Sequence, residues 1–211
     1  MNQKIIIAIN REYGSGGRTV GKMLADELKI HYYDREILKL ASDESGISEE
    51  LFNSADEKIK STSLFHIARS VYTGELIPPE SSDFTSDRNL FNYQAKIIKE
   101  LADTEACVIV GRCAGFILKD HPQVVRVFVH APKEYLLEQA ALKKSLPPKE
   151  LEKFVEKENR RMAAYNEYYA GEKWDDAHYY DLCLDSSKLG FENCVRIIKG
   201  YMKVRFDGLE F

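Results

Sequence analysis

The 211-residue chain lacks the features from which metal centres and membrane segments are usually predicted. Its four cysteines lie far apart and form no C-x-x-C pair, and its five histidines are scattered, so no metal-ligand cluster is indicated. No apolar run approaches the roughly 18 residues of a membrane-crossing helix. Internal repeats and low-complexity tracts are also missing. A globular protein with reduced cysteines is therefore expected.

Positive charge is not in excess either. The formal net charge is −4, so no overall field attracts nucleic acid, and any basic residue that binds phosphate must act locally. An apolar strand pattern begins at residue 4, which leaves no room for a signal peptide. We therefore expect a cytoplasmic protein with no nucleic-acid or membrane partner.

Strand-like runs alternate with helical patterns along the chain. This alternation predicts an α/β fold in which helices flank a parallel five-stranded sheet. One domain, 1–211, is expected, with a helical insertion at 42–103 that contains a polar loop and a helix capped by Asp87, a second excursion at 145–178, and a closing helix over 191–204. The expected strands are 4–10, 30–33, 106–110, 124–130 and 180–184, and the expected core is 1–41, 104–144 and 179–211.

The most informative segment is a glycine-rich turn between the first strand and the first helix. Gly14, Gly16 and Gly17 follow the apolar run Ile5 to Ile9, and a helical pattern begins directly after them. Free backbone N–H groups and the helix dipole make such a turn an anion site, and phosphate is the preferred anion.

The amino-acid sequence of this turn departs from the usual phosphate-loop motif, G-x-x-x-x-G-K-[ST]. Arg18 stands where lysine is expected, Thr19 follows it, and Glu12 holds the opening glycine position. Two other interpretations stay open: a tight turn that uses glycine for geometry alone, and a dinucleotide-binding turn, whose G-x-G-x-x-G spacing is not kept.

Two further clusters follow predicted strands. Asp34 and Arg35 end the second strand, and Arg112 follows Gly111 after the third. Ligands of parallel sheets bind beyond the carboxyl ends of strands, so these side chains are expected to face the same crevice as the glycine turn. Arg112 offers a planar fork suited to phosphate or carboxylate. The alternative for Asp34 is that it only caps the next helix.

Arg160 and Arg161 lie on a charged helix within 145–178, close to several aromatic residues. A solvated helix face is one interpretation. The other is a mobile lid, because the segment lies before the last strand and phosphoryl transfer needs positive charge and exclusion of water.

Taken in order, four segments resemble the nucleoside-monophosphate kinases and, among them, the bacterial cytidylate kinase-like family. These are AINREYGSGGRTVGKMLA, YYDRE, VIVGRCAGFIL and DLCLDSS. The resemblance extends over nearly the whole chain and implies a P-loop kinase-like fold, ATP and Mg²⁺ as cofactors, and an acceptor such as a nucleoside monophosphate.

The resemblance also implies roles for particular residues. The donor phosphates would be wrapped by Gly14, Ser15, Gly16, Gly17, Arg18 and Thr19. Thr19 would help to hold Mg²⁺, and Arg18 and Arg161 would neutralise charge on the transferred group. Arg112, with Asp34 and Arg35, would position the acceptor. When the glycines are matched to a cytidylate kinase loop, Gly17 takes the place of the lysine, and Cys113 stands where that family has aspartate.

Two alternatives to an active enzyme remain. One is a nucleotide-binding regulatory protein with a degenerate loop and little or no turnover. The other is a structural relative that binds only an anion. The sequence leaves the acceptor and the oligomeric state open, although the aromatic lid is compatible with a homo-oligomer.

Overall fold

The structure is a computed structural model that describes residues 4–58, 75–207 and 209. Five parallel strands form one sheet in the order β2-β3-β1-β4-β5, which confirms the predicted fold class. The strands are β1 (Ile6–Arg11), β2 (His31–Tyr33), β3 (Cys107–Val110), β4 (Val124–His130) and β5 (Leu182–Asp185).

Helices cover both faces of this sheet. They are α1 (Gly17–Leu28), α2 (Glu36–Ser45), α3 (Glu49–Lys58), α4 (Asp87–Thr104), α5 (Ala114–Ile117), α6 (Lys133–Ala141), α7 (Pro148–Ala170) and α8 (Ser186–Arg205), with a short 3-10 helix at Ala177–Tyr179. None of the described helices is both long enough and apolar enough to span a bilayer.

The central strand β1 explains why the sheet has two apolar layers. Successive side chains of a strand point to opposite faces. Ile6 and Ala8 accordingly join the core formed with α2 and α4, whereas Ile5, Ile7 and Ile9 join the core formed with α1 and α8. Because β1 lies between β3 and β4, its carboxyl end opens at the middle of the sheet edge.

Several local predictions need correction. Ser86, not Asp87, caps α4, and its side chain accepts a hydrogen bond from the Asn89 N–H. The closing helix begins at Ser186, five residues earlier than predicted, and is interrupted at Gly190, where φ is +71°. Cys107 and Cys183 both lie in strands, where cysteine usually packs as a small apolar residue; Cys107 is buried, but Cys183 is exposed. The insertion predicted at 42–103 and its polar loop lie partly outside the described residues.

Candidate functional site

The glycine turn has a backbone shape that larger residues cannot adopt. Gly14 and Gly16 have φ values of +92° and +79°, in the left-handed region that favours glycine. A Cβ atom at Gly14 would collide with the Leu136 carbonyl, and one at Gly16 would collide with the Phe191 ring. Gly16 is the N-cap of α1 and has no side-chain cap. The turn therefore leaves backbone groups at the start of α1 that are not covered by side chains.

Some polar groups of this turn form hydrogen bonds within the turn, and others are left available for a ligand. The Ser15 N–H and hydroxyl both donate to the Glu12 carbonyl, at 3.3 Å and 2.9 Å, so fully buried Ser15 holds the turn together. The first N–H groups of a helix have no intrahelical acceptor. Those of Gly17, Arg18 and Thr19 open α1 and are oriented for an anion.

Glu12 does not fill the turn. Its carboxylate accepts a hydrogen bond from the Ala131 N–H at 3.0 Å, on the far side of the turn. Burial raises the pKa of Glu12 above its ordinary value, and the Ala131 N–H opposes this shift. The residue at the expected opening-glycine position is thus a brace between the turn and the end of β4.

Arg18 and Asp34 are paired across the mouth of the crevice. Arg18 Nε lies 2.8 Å from Asp34 Oδ2, and Nη2 donates to Oδ1 at 3.3 Å. Asp34 makes no helix cap, because Arg35 occupies the N-cap position of α2 without a side-chain hydrogen bond. The capping interpretation of Asp34 is therefore wrong, and its carboxylate orients an arginine instead.

Arg112 is held in an unusual backbone conformation. Arg112 and Cys113 have φ values of +58° and +53°, which non-glycine residues rarely adopt and which stores about 1–3 kcal/mol per residue. Burial lowers the pKa of the Arg112 guanidinium, while Tyr165 and Asp34 oppose that shift. Burial also raises the pKa of Tyr165 well above its ordinary value. Consecutive strained residues of this kind are typical of binding sites.

Arg161 reaches the same crevice from α7. Its Nη2 donates to Glu158 Oε2 at 2.9 Å, the i,i+3 pair expected on a helix. Its Nε is buried and has no hydrogen-bond partner among the described residues. Arg160 is exposed and lines a separate depression with Lys133 and Glu152. Of the two neighbouring arginines, Arg161 therefore faces the crevice.

Two adjoining cavities share these side chains. We call the first the acceptor-side cavity. It has a volume of about 130 Å³, and its lining includes Arg11, Arg18, Asp34, Arg35, Asn53, Arg112, Arg161, Tyr165 and Asn166. Among the described residues that line it, Asp34 is the single carboxylate against five guanidinium groups. Such a cavity suits a compact, multiply charged anion.

We call the second the loop-side cavity. It has a volume of about 600 Å³, and its lining includes the glycine turn, four arginines and three lysines (Arg11, Arg18, Arg35, Arg161, Lys143, Lys144 and Lys157) and two carboxylates (Glu12 and Glu158). Four arginines, Arg11, Arg18, Arg35 and Arg161, line both cavities and therefore lie on the boundary between them.

The segment predicted to be a lid contacts the turn directly. The Tyr13 N–H donates to Asn159 Oδ1 at 2.6 Å, and the Tyr13 ring packs edge-on against Phe154, with 5.2 Å between centroids. Asn10 Nδ2, at the end of β1, donates to Asn166 Oδ1 at 3.2 Å. A movement of α7 would therefore be transmitted to the turn.

The side chains around the site suit a polyphosphate that brings Mg²⁺ with it better than a metal ion held by the protein alone. Among residues 4–58, 75–207 and 209, no group of three or more histidine, cysteine, aspartate or glutamate side chains is placed to hold a metal ion. Mg²⁺ in kinase sites keeps several waters and takes other oxygens from phosphates. Thr19 lies partly exposed in the first turn of α1 but is not among the residues that line either cavity.

Sequence reasoning missed several of these residues. Arg11 lines both cavities, and the available signal was its position at the end of a strand beside the turn. Three lysines, Lys143, Lys144 and Lys157, also line the loop-side cavity. They belong to highly charged segments, in which the sequence pattern does not show which side chains face a cavity and which face solvent.

Comparison with known proteins places this site in context. The model of the cytidylate kinase-like family matches residues 6–188. A cytidylate kinase from Methanosarcina barkeri (strain Fusaro / DSM 804) is 29% identical over 190 residues, which cover 88% of this chain and 89% of that protein. A cytidylate kinase from Thermosipho melanesiensis (strain DSM 12029 / CIP 104789 / BI429) is 28% identical over 142 residues, covering 61% and 64%.

Solved structures share the architecture. An uncharacterized protein from Eubacterium ventriosum ATCC 27560 aligns with a TM-score of 0.67 and 25% identity, over 94% of this chain and 98% of that one. A shikimate kinase from Bacteroides thetaiotaomicron aligns with a TM-score of 0.54 and 14% identity over the same shares, a likeness of fold alone. The glycine turn, the sheet order and the family match agree, and the chain belongs to the cytidylate kinase-like family.

Proposed function

We propose that the protein is an ATP-dependent phosphotransferase that moves the γ-phosphate of ATP to a small acceptor such as a nucleoside monophosphate. The observation that carries this proposal is the placement of five arginines and one aspartate around the acceptor-side cavity; four of these arginines also line the loop-side cavity beside the glycine turn. Phosphoryl transfer needs little covalent chemistry from the protein, and positioning with charge stabilisation supplies most of the rate. The family relationship supports a kinase-type reaction.

In this proposal the loop-side cavity receives the donor. The N–H groups of Gly14, Gly16 and Gly17, with those of Arg18 and Thr19, bind the donor phosphates, and Ser15 keeps the turn in shape. Mg²⁺, held in part by Thr19, would neutralise charge on the donor phosphates when bound.

The acceptor-side cavity receives the acceptor. Arg112 and Arg35 bind its anionic group, while Asp34 orients Arg18. Arg18 and Arg161 stabilise charge on the group in transfer. No side-chain nucleophile is needed, because an oxygen of the acceptor attacks the phosphorus directly.

A nucleotide panel tests the proposal. Thermal unfolding is measured with ATP, GTP, CMP, AMP and UMP, each with and without Mg²⁺, and ADP release is then measured with each acceptor. We expect ATP to raise the unfolding temperature and at least one acceptor to give ADP. The proposal fails if no acceptor gives ADP above the rate seen with ATP alone.

ATP binding without ADP release for any acceptor would favour a nucleotide-binding regulatory protein. The observation on the side of that second candidate is the glycine at position 17, where the cytidylate kinase loop has its lysine. ATP binding without turnover against a broad acceptor panel distinguishes it from an active enzyme.

Closure of a lid is part of the proposal. The Glu158–Arg161 pair, worth only about 0.2–0.5 kcal/mol on a helix, is weak enough for a bound phosphate to displace. Hydrogen exchange across 150–175 should slow when a non-hydrolysable ATP analogue and Mg²⁺ are added. Unchanged exchange there, with protection at 14–19, would leave nucleotide binding intact and remove the lid.

A further inference from the structure

The phosphate-loop motif can be aligned with this sequence in a second register. In that register a glycine occupies the lysine position of the motif, and an arginine occupies the position of its opening glycine. The motif places its first glycine six positions before its lysine. If Gly16 is the second glycine of the motif, the lysine position falls on Gly17 and the opening glycine position falls on Arg11. The cation is then present in the motif, at its other end.

The packing of Arg11 against Gly17 means that a side chain can be accommodated at position 11 or at position 17, but not at both. A Cβ atom added at Gly17 would collide with the Cβ of Arg11 and lie 3.0 Å from its Cγ. A lysine at position 17 therefore cannot coexist with the arginine at position 11. The stem of Arg11 fills the space into which a side chain at position 17 would project.

The Arg11 guanidinium lies deeper in the crevice, beside the end of β3. A Cβ atom added at Gly111, where φ is +79°, would lie 2.8 Å from Arg11 Nη1 and 3.3 Å from its Cζ. Glycine at position 111 thus makes room for this guanidinium. From there Arg11 lines both the acceptor-side and the loop-side cavities.

The Arg11 guanidinium has no salt-bridge partner in the described part of the chain, although Asp34 pairs with the neighbouring Arg18. Burial and the neighbouring Arg18 together lower the pKa of Arg11 to about 10, while Asp34 opposes the shift, so Arg11 still carries its charge at neutral pH. A charged group held in this way is stabilised by an incoming anion.

We infer that Arg11 is the phosphate-binding cation of this site and takes the place of the loop lysine, contacting the donor phosphates from the strand side of the turn. The inference rests on the proposed function and adds a residue to it. Arg18, which stands in the lysine position of the first register, is half exposed and already paired with Asp34. Its place at the mouth of the crevice suits the acceptor and the group in transfer.

A reciprocal exchange of residues tests this inference. The variants are Arg11→Met, Arg11→Gly, Gly17→Lys and the double variant Arg11→Gly with Gly17→Lys. Calorimetry measures binding of Mg-ATP and of inorganic tripolyphosphate, and ADP release is measured with the best acceptor. Lys22→Met is the control, because Lys22 is exposed on α1 and pairs with Asp26.

Each single variant should weaken binding of ATP and of tripolyphosphate roughly 10- to 100-fold, the usual effect of losing a charge-assisted contact. Gly17→Lys should do so because its side chain collides with the Arg11 stem. The double variant should bind within about 10-fold of wild type, because removing that stem opens the space for lysine. Lys22→Met should bind as wild type does.

Two results would overturn the inference. One is wild-type affinity for both probes in Arg11→Met. The other is a double variant that is folded by circular dichroism but binds no better than Arg11→Gly. Arg11→Lys, which keeps the charge, should retain more affinity than Arg11→Met and so separates a lost contact from a lost fold.

The binding measurements keep the inference separate from the proposed function. If the wild type binds ATP but produces no ADP, phosphotransfer fails, and the affinities still decide the role of Arg11. If the wild type binds neither ATP nor tripolyphosphate, both proposals fall.

Discussion

The acceptor-side and loop-side cavities share Arg11, Arg18, Arg35 and Arg161 but differ in the charged side chains that each one adds. The smaller acceptor-side cavity adds Arg112, which sits on a strained backbone, and Asp34, which pairs with the shared Arg18. The larger loop-side cavity adds three lysines to a turn that offers backbone N–H groups. Guanidinium groups select the shape and direction of an anion, whereas ammonium groups supply charge with little orientation. Under the proposed function, Arg112 would therefore give the acceptor side its selectivity, and the loop-side lysines would attract a polyphosphate in general.

The largest effect is expected from a change in the backbone shape of the glycine turn, which should remove ATP binding on the loop side. Gly14→Ala combines a left-handed backbone with a collision against the Leu136 carbonyl, so it should lower the free energy of unfolding by roughly 3 kcal/mol and abolish ATP binding. Gly46→Ala is the matched control, because Gly46 has a similar φ of +72° but nothing within 4 Å of an added Cβ. It should cost only about 1–2 kcal/mol. Urea unfolding of both variants checks this, and equal losses would show that the collision is relieved.

Removing a guanidinium from the acceptor side should affect one substrate and spare the other. Arg112→Gln should lower kcat/KM for the acceptor by roughly 10- to 100-fold and leave the Kd of ATP within about twofold of wild type. Arg112→Lys should recover only part of the loss, because an ammonium cannot make two parallel hydrogen bonds. Steady-state kinetics with each substrate varied in turn decides the matter. A parallel loss of ATP affinity would mean that the two cavities act as one.

The lysines of the loop side should give a smaller effect that depends on salt. Lys143→Met combined with Lys144→Met should weaken ATP binding by about three- to fivefold at low ionic strength, and the difference should shrink as salt is added. Lys149→Met, exposed and outside the cavity lining, is the control. Calorimetry at two salt concentrations measures the effect. Insensitivity to salt would show that these ammonium groups make fixed contacts, as guanidinium groups do.

The smallest expected effect concerns the brace beneath the turn. Because burial raises the pKa of Glu12 in the folded protein, the protonated form is favoured there. The contribution of this group to stability is then full below its ordinary pKa and is lost as pH rises through the raised value. Glu12→Gln keeps an acceptor for the Ala131 N–H without the charge. Its stability relative to wild type should therefore increase between about pH 4 and pH 7, as measured by denaturant unfolding, and a constant difference would contradict this.

Part of the site could be predicted from neighbouring residues alone. Gly14, Gly16 and Gly17 lie between a strand and a helix within one short segment, so their conformation follows from local sterics. Asp34 and Arg112 could be placed at the crevice because each follows a predicted strand. Their exact partners could not, since the Arg18–Asp34 pair depends on how α1 packs against the end of β2.

The sequence by itself determined the parallel sheet, because the alternation of apolar runs and helical patterns leaves little other way to bury both faces of the strands. It also determined the glycine turn at the start of α1. Only the tertiary structure decided that Arg11 passes over Gly17 and ends beside Gly111, since this needs the register of β1 against β3. The same is true of Lys143 and Lys144, which lie about 130 residues from the turn along the chain. The physical reason is that conformation within a turn depends on neighbouring atoms, whereas the convergence of charges depends on packing between distant elements.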